Sequence, residues 1–228
     1  MAKVNYSGEK AKFFSVLADG KFHHAVEENH PGAVKREYET SDGKTGVKWD
    51  IIADSISGLI ESITIREGAF GKQLQIYFSK GEDEPVVVSL SLNSNYAEDF
   101  LKKLPNVKRD VEVTVVPYSF EDEKGKNKKG MTVYQEDEKV TGYYHELVDK
   151  GDKKVLKAIN GYPEVPKEAF SKTKPWDSDD WKMFFTQARK FLVSELEKNP
   201  LYRDPKAVPT EAEAELDEIT KADDVNPF

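Results

Sequence analysis

The residues in this chain best suited to chemistry are flat rings and lysines. Lys124, Lys126, Lys128 and Lys129 fall within six residues, in the stretch Glu121 to Gly130 (EDEKGKNKKG). Alone, such a run is a solvated loop; beside a ligand groove it can neutralise phosphates and release their counterions. Tyr77, Tyr118 and Tyr134 fall on the polar side of β-type runs. Trp49 stands beside Lys48, with Lys44 nearby, and Phe70 stands between Arg66 and Lys72. Rings next to positive charge suit stacking on nucleobases, because every base has a π-face. Trp49 fits a cover over one end of a core as well as a stacking platform. Phe70, at the tip of a turn that Gly68 and Gly71 permit, fits either stacking or folding back onto the core.

Other chemistries find less support. His23, His24, Glu27, Glu28 and His30 cluster, and histidines four residues from glutamates could share a helix face and ligate a metal. Their spacing matches no zinc signature, and Pro31-Gly32 breaks the segment, so a solvated polar turn is the better reading and no metal or cofactor is expected. The chain has no cysteine, hence no thiolate nucleophile and no disulfide, which fits an intracellular protein. It carries no Gly-rich phosphate loop and no Ser-His-Asp pattern, so no enzyme activity is expected.

The elements that must position these side chains are short β-type runs. Leu59 to Arg66, Lys72 to Ser79 and Pro85 to Leu92 are followed by a helical segment, Ser94 to Leu104, and then by Asp110 to Tyr118 and Met131 to Gln135. The runs alternate with period two. Leu74, Ile76 and Phe78 oppose Gln73, Gln75 and Tyr77; Val111, Val113 and Val115 oppose Glu112 and Thr114; Met131 and Val133 oppose Thr132 and Tyr134. The third run is apolar on both faces at its start and should be the most buried. The order β-β-β-α-β-β is that of the oligonucleotide/oligosaccharide-binding (OB) barrel, in which the loops between strands one and two and between four and five border the ligand groove. The fold class expected is therefore mainly β with helices, a β-barrel carrying an added hairpin, a C-terminal amphipathic helix and a disordered acidic tail.

Around that core, Val34 to Ala53 reads as a hairpin turning at Ser41-Asp42-Gly43-Lys44. Glu9 to Leu17 reads as a short helix capped by Ser7. Residues 137–175 should form short elements packed on the barrel. A helix is expected over 178–198, with Ser178 as N-cap and an apolar face of Trp181, Phe184, Phe185, Ala188, Phe191, Leu192 and Leu196. That face suits docking on the barrel or closing a dimer. The division that follows is an N-terminal segment over 1–33, the OB domain with its leading hairpin over 34–136, an extension over 137–203 and a disordered tail over 204–228.

The net charge of −8 is placed unevenly. From Asp204 to Phe228 there are eight acids and two bases, a charge of −6, leaving −2 for everything else. An acidic total therefore does not exclude a body that binds nucleic acid. No apolar run approaches the roughly 20 residues of a membrane-spanning helix, and the first residues lack a signal-peptide core. The chain ends Ala222-Asp223-Asp224-Val225-Asn226-Pro227-Phe228. Acids followed by a terminal Pro-Phe suit capture in a basic-rimmed apolar pocket of another protein.

That ending resembles the acidic tip of bacterial and bacteriophage single-stranded-DNA-binding proteins. SGLIESITIREGAFGKQLQIYFS, NSNYAEDFLKKLPNV and the basic loop before GMTVYQ look like the OB domain of phage-type members. The resemblance covers about Val34 to Gln135 and the last few residues; Asn226 departs from the usual pattern. It implies a barrel that binds single-stranded DNA with little sequence preference, in the cytoplasm of a bacterium or a phage-infected cell. It also implies a tip, here Asp223, Asp224, Pro227 and Phe228, that recruits replication, recombination or repair proteins. An RNA-binding OB module and a protein-interaction adaptor without nucleic-acid binding are the alternatives.

Overall fold

A computed structural model of the chain describes residues 11–39, 43–68, 71–79, 85–123, 125–143, 145–150, 153–158 and 161–204, with 145–150 and 153–158 followed as backbone. The strands, in chain order, are β1 (Lys12–Val16), β2 (Phe22–Val26), β3 (Val34–Glu39), β4 (Thr45–Ala53), β5 (Ile56–Gly58), β6 (Ile60–Gly68), β7 (Gly71–Phe78) and β8 (Val86–Ser91). Helix α1 (Asn95–Lys103) follows, then β9 (Val113–Glu121), β10 (Asn127–Gln135), β11 (Glu138–Lys139), β12 (His145–Lys150), β13 (Lys153–Ala158) and helix α2 (Ser178–Glu197).

The strands form a seven-stranded sheet in the order β3-β4-β2-β1-β8-β7-β6, a four-stranded sheet β11-β10-β9-β5 and a separate pair, β12-β13. All five expected runs and the helix between the third and fourth are present. Mainly β with two helices is therefore the architecture among the described residues, but the two sheets do not close into a barrel. They are joined along one side by β5 and β6, almost a single strand: β5 pairs with β9 and β6 pairs with β7, so the chain leaves one sheet for the other at Leu59.

On the opposite side, β8 pairs in parallel with β1, not with β10. Ahead of its pairing with β11, the edge of β10 is met by α1. Asp99 accepts a hydrogen bond from the Met131 amide at 2.9 Å, and Lys103 donates to the Met131 carbonyl at 2.6 Å. Met131 lies opposite Pro117, which has no N–H to give. Its backbone groups turn outward, where a helix side chain satisfies each of them.

The helix expected over Glu9 to Leu17 is a correction: Lys12–Val16 is a strand. Its Phe14 is buried against Phe22, and its parallel ladder to β8 outweighs the helical spacing of so short a segment. Residues 11–33 thus supply β1 and β2 to the middle of the large sheet and do not stand apart from the β-rich body. Val34 to Ala53 forms the expected hairpin, β3 with β4. The third run buries Val87, Val88 and Leu90, but the second is more enclosed than expected, with Leu74, Gln75, Ile76 and Phe78 all buried.

Ser94 caps α1 by accepting from the Ala97 amide at 3.2 Å, and the helix ends in a 3-10 turn over Leu104–Asn106 that contains Pro105. It buries Tyr96, Ala97, Phe100 and Leu101 against the apolar faces of both sheets. In α2 the N-cap is Asp177, not Ser178. Asp177 accepts from the Asp179 and Asp180 amides, and Asp180 accepts in return from the Asp177 amide, which completes a capping box. Ala188, Leu192 and Leu196 join the main core, so this helix docks on the β-rich body; Phe184 joins Val165 and Ala169 in a smaller cluster.

Beyond α2 the chain runs beside β6. The Ile63 amide donates to the Leu201 carbonyl, and the Arg203 amide donates to the Ile63 carbonyl. This covers an edge that would otherwise present unpaired backbone groups. Residues 137–175 include the two short hairpin strands and a 3-10 turn over Lys167–Phe170. No helix among the described residues is long and apolar enough to cross a membrane.

Candidate nucleic-acid interface

Register decides which ring faces where. Within the large sheet, Ile63, Leu74, Ile76, Val88 and Phe14 point to the core. The opposite face carries Thr64 and Arg66 of β6, Gln73, Gln75 and Tyr77 of β7, Ser89 of β8, His23 of β2 and Lys48 of β4. The expectation that this face is polar is met, but it is not open. Thr64 and Gln75 are each 1% exposed and Arg66 is 9% exposed. Tyr77 is half-buried, and its hydroxyl donates to Gln75 Oε1 at 2.7 Å. Farther along this face, Asp50 is buried and holds Arg36 and His23, and His23 also reaches Asp19. His24, on the other face of β2, pairs through Nδ1 with the Phe13 carbonyl. The solvated polar turn expected for this cluster is therefore a correction: His23 and His24 belong to β2, His23 is buried, and both bond to residues of neighbouring segments.

The predicted residues separate into groups. Arg66, Tyr77 and Lys48 share the polar face of the large sheet, but three strands lie between β4 and β7. At about 4.8 Å per strand, Lys48 starts roughly 19 Å from Tyr77. Lys48 stands over the Tyr38 ring, 5.3 Å from its centre. Trp49 points to the other face of β4 and is half-buried; Lys44 and Lys72 are exposed. Phe70, Lys124 and the terminal Asp223, Asp224, Pro227 and Phe228 lie outside the described residues.

The four-stranded sheet gathers more of them. The stretch expected as a mobile lysine loop is largely strand, because β9 runs to Glu121 and β10 begins at Asn127. The turn between them is tight: the Asp122 amide donates to the Lys126 carbonyl at 2.9 Å, and the Asp122 carboxylate accepts from the Lys126 amide. Gly125 supplies the positive φ of 71° that this turn needs. Lys128 and Lys129 therefore sit on opposite faces of β10 instead of sharing one flexible run. On the outward face stand Thr114, Val116, Tyr118 and Phe120 of β9, with Lys128, Gly130, Thr132 and Tyr134 opposite them on β10. Phe120 is 55% exposed and Tyr134 37%.

Phe120 is the residue that sequence reasoning missed. Continuing the alternation two residues past Tyr118 would have found it. Its ring lies 5.8 Å from that of Tyr118, tilted by 35°. Lys128 is its cross-strand neighbour and also stands 3.7 Å from Asp122.

Tyr118 is fixed more firmly than an ordinary surface tyrosine. Its cross-strand partner is Gly130, and the ring crosses that glycine to donate to Asp99 Oδ2 at 3.3 Å. Burial, and then the negative charge of Asp99, push the Tyr118 hydroxyl up to about 12. Asp99 is itself held by Lys103 at 2.7 Å, whose ammonium burial pulls below the usual lysine range. The outcome is a pair of neighbouring rings, Tyr118 half-buried and anchored and Phe120 exposed with a lysine beside it. Such a surface can stack planar groups and attract negative charge. Comparison with protein-family models, curated proteins and solved structures finds no match.

Proposed function

We propose that this chain binds single-stranded DNA with little sequence preference, through a core of the OB type, and does so without catalysis. The observation that carries the reading is the outward face of the β9–β10 hairpin, where Tyr118, Phe120 and Tyr134 share a surface with Lys128. A soluble core gains nothing from leaving Phe120 open, whereas base stacking needs an open ring. The strand order supports the OB assignment: β6, β7, β8, α1, β9 and β10 follow the β-β-β-α-β-β sequence, and the β5–β6 run is shared by both sheets. In this reading the exposed Lys72 and Lys126 add phosphate contacts, and Asp223, Asp224, Pro227 and Phe228 engage replication or recombination proteins.

The test is a titration with a labelled single strand, its duplex and the matched RNA, at two salt concentrations, with and without residues 204–228. The reading expects the single strand to bind best, to weaken as salt rises, and to bind at least as well without the tail. Equal binding of RNA would turn the reading into a general single-strand binder. Absence of binding by both constructs would refute it.

A further inference from the structure

The geometry points to a specific device in the β9–β10 hairpin: Tyr118 and Phe120 form a two-base step for unpaired nucleic acid, and Asp99 is the positioning residue that sets it. This rests on the single-strand reading and deepens it. Three features carry the inference. The first is spacing. The two ring centres are 5.8 Å apart. Successive bases in a duplex strand rise by about 3.4 Å and cover one another's faces. Neighbouring bases can reach both rings only if the strand is stretched and its bases unstacked, which a duplex resists and a single strand does not.

The second feature is the anchor. A Cβ on residue 130 would stand 2.3 Å from the Tyr118 hydroxyl oxygen and 2.4 Å from Asp99 Oδ2. Glycine at 130 is thus what lets the ring lie across β10. Asp99 then joins three elements: it accepts from Tyr118 of β9 and from the Met131 amide of β10, and it pairs with Lys103 of its own helix. A ring held at its hydroxyl end loses little freedom when a base lands on it, which lowers the ordering cost of binding.

The third feature is charge. Lys128 lies directly across from Phe120, so a positive group stands beside the exposed ring of the step. A strand laid over Tyr118 and Phe120 would bring a phosphate to Lys128.

The experiment measures affinity by fluorescence anisotropy with a labelled oligothymidine and a duplex of equal length. Wild type is measured first, because failure of wild type to bind the single strand refutes the underlying reading rather than this inference. Given binding, Phe120→Ala should weaken the single strand by about five- to a hundred-fold while changing duplex affinity less than two-fold. Phe120 is more than half exposed, so the variant keeps its fold. Unchanged single-strand affinity, or equal losses for both ligands, would overturn the step.

The positioning role of Asp99 is read from a double-mutant cycle of Asp99→Asn and Tyr118→Phe. Asp99→Asn alone should weaken the single strand several-fold, and the same change should add little once the Tyr118 hydroxyl is gone. An effect of Asp99→Asn that is undiminished in the Tyr118→Phe background would show that Asp99 acts on stability alone.

Discussion

Gly130→Ala is the sharpest probe of how the hairpin is built. The added Cβ would meet the Tyr118 hydroxyl oxygen at 2.3 Å, Asp99 Oδ2 at 2.4 Å and Tyr118 Cζ at 2.6 Å, all well inside contact distance. The backbone does not have to yield, since both neighbours are the far ends of side chains. They must instead shift by about 1 Å, which pulls Asp99 from the Met131 amide and Tyr118 from Asp99. A hydrogen bond to a charged group contributes about 1.5–3 kcal/mol, and replacing glycine by alanine returns about 0.4–1 kcal/mol through the unfolded chain. With both bonds lost, the expected net loss is about 2–5 kcal/mol, or about 4–20 °C in melting temperature for a chain of this size. Urea unfolding followed by circular dichroism measures it. The same substitution in a Tyr118→Ala background should cost less, because the ring's space is then vacant. A variant as stable as wild type, or an undiminished loss in the Tyr118→Ala background, would refute the clamp.

Tyr134→Ala should lower single-strand affinity by about 1–3 kcal/mol with little change in melting temperature, since Tyr134 is 37% exposed; a large drop in melting temperature would show that its ring is structural. Glu98→Ala should destabilise the chain by about 2–3 kcal/mol, seen in urea unfolding, because the buried Glu98 carboxylate serves Lys102 at 2.7 Å, Arg189 at 3.3 Å and the Tyr162 hydroxyl at 3.4 Å. Asp177 gives a pH test. The amides of Asp180 and Asp179 hold its carboxyl below the usual range. The stability its charge confers is therefore complete above the unfolded carboxylate pKa of about 3.9 and is lost as pH falls through the lower folded value. Asp177→Asn should remove that contribution, so the difference in melting temperature between wild type and variant should shrink as pH falls below about 4 and through the lower folded value; a constant difference would refute the ionised cap.

How much of this was legible beforehand follows from the range of the forces involved. Period-two alternation and turn residues are local, so the six main-run elements, the β3–β4 hairpin and the apolar stripe of α2 could be read from residue order. The same alternation puts Tyr77, Tyr118 and Tyr134 on the faces away from the core, as the register has them, but only Tyr134 is exposed and the face of Tyr77 is covered. Asp177, Ser178 and Asp179 stand in a row, and only the backbone angles decide that Asp177 caps. Residue order alone reads β1 as a helix, because its partner, β8, lies more than seventy residues away. The lysine stretch looked like a loop because composition carries no register: cross-strand pairing with β9 converts Lys128 and Lys129 into strand residues facing opposite ways.

Residue order settles local choices: that the five main runs are strands, which face of each is apolar, and that rings and lysines concentrate around β7 and the β9–β10 hairpin. The tertiary structure alone decided which of those rings are open. Gln75, Thr64 and Arg66 stand on a polar face yet are covered, while Phe120, one alternation step past the last tyrosine of its strand, is exposed. It also decided that Asp99, an unremarkable acid on α1, reaches across to Tyr118 and the edge of β10. Alternation fixes the side of a strand from which a residue projects, but what covers that side depends on contacts between segments far apart in the chain.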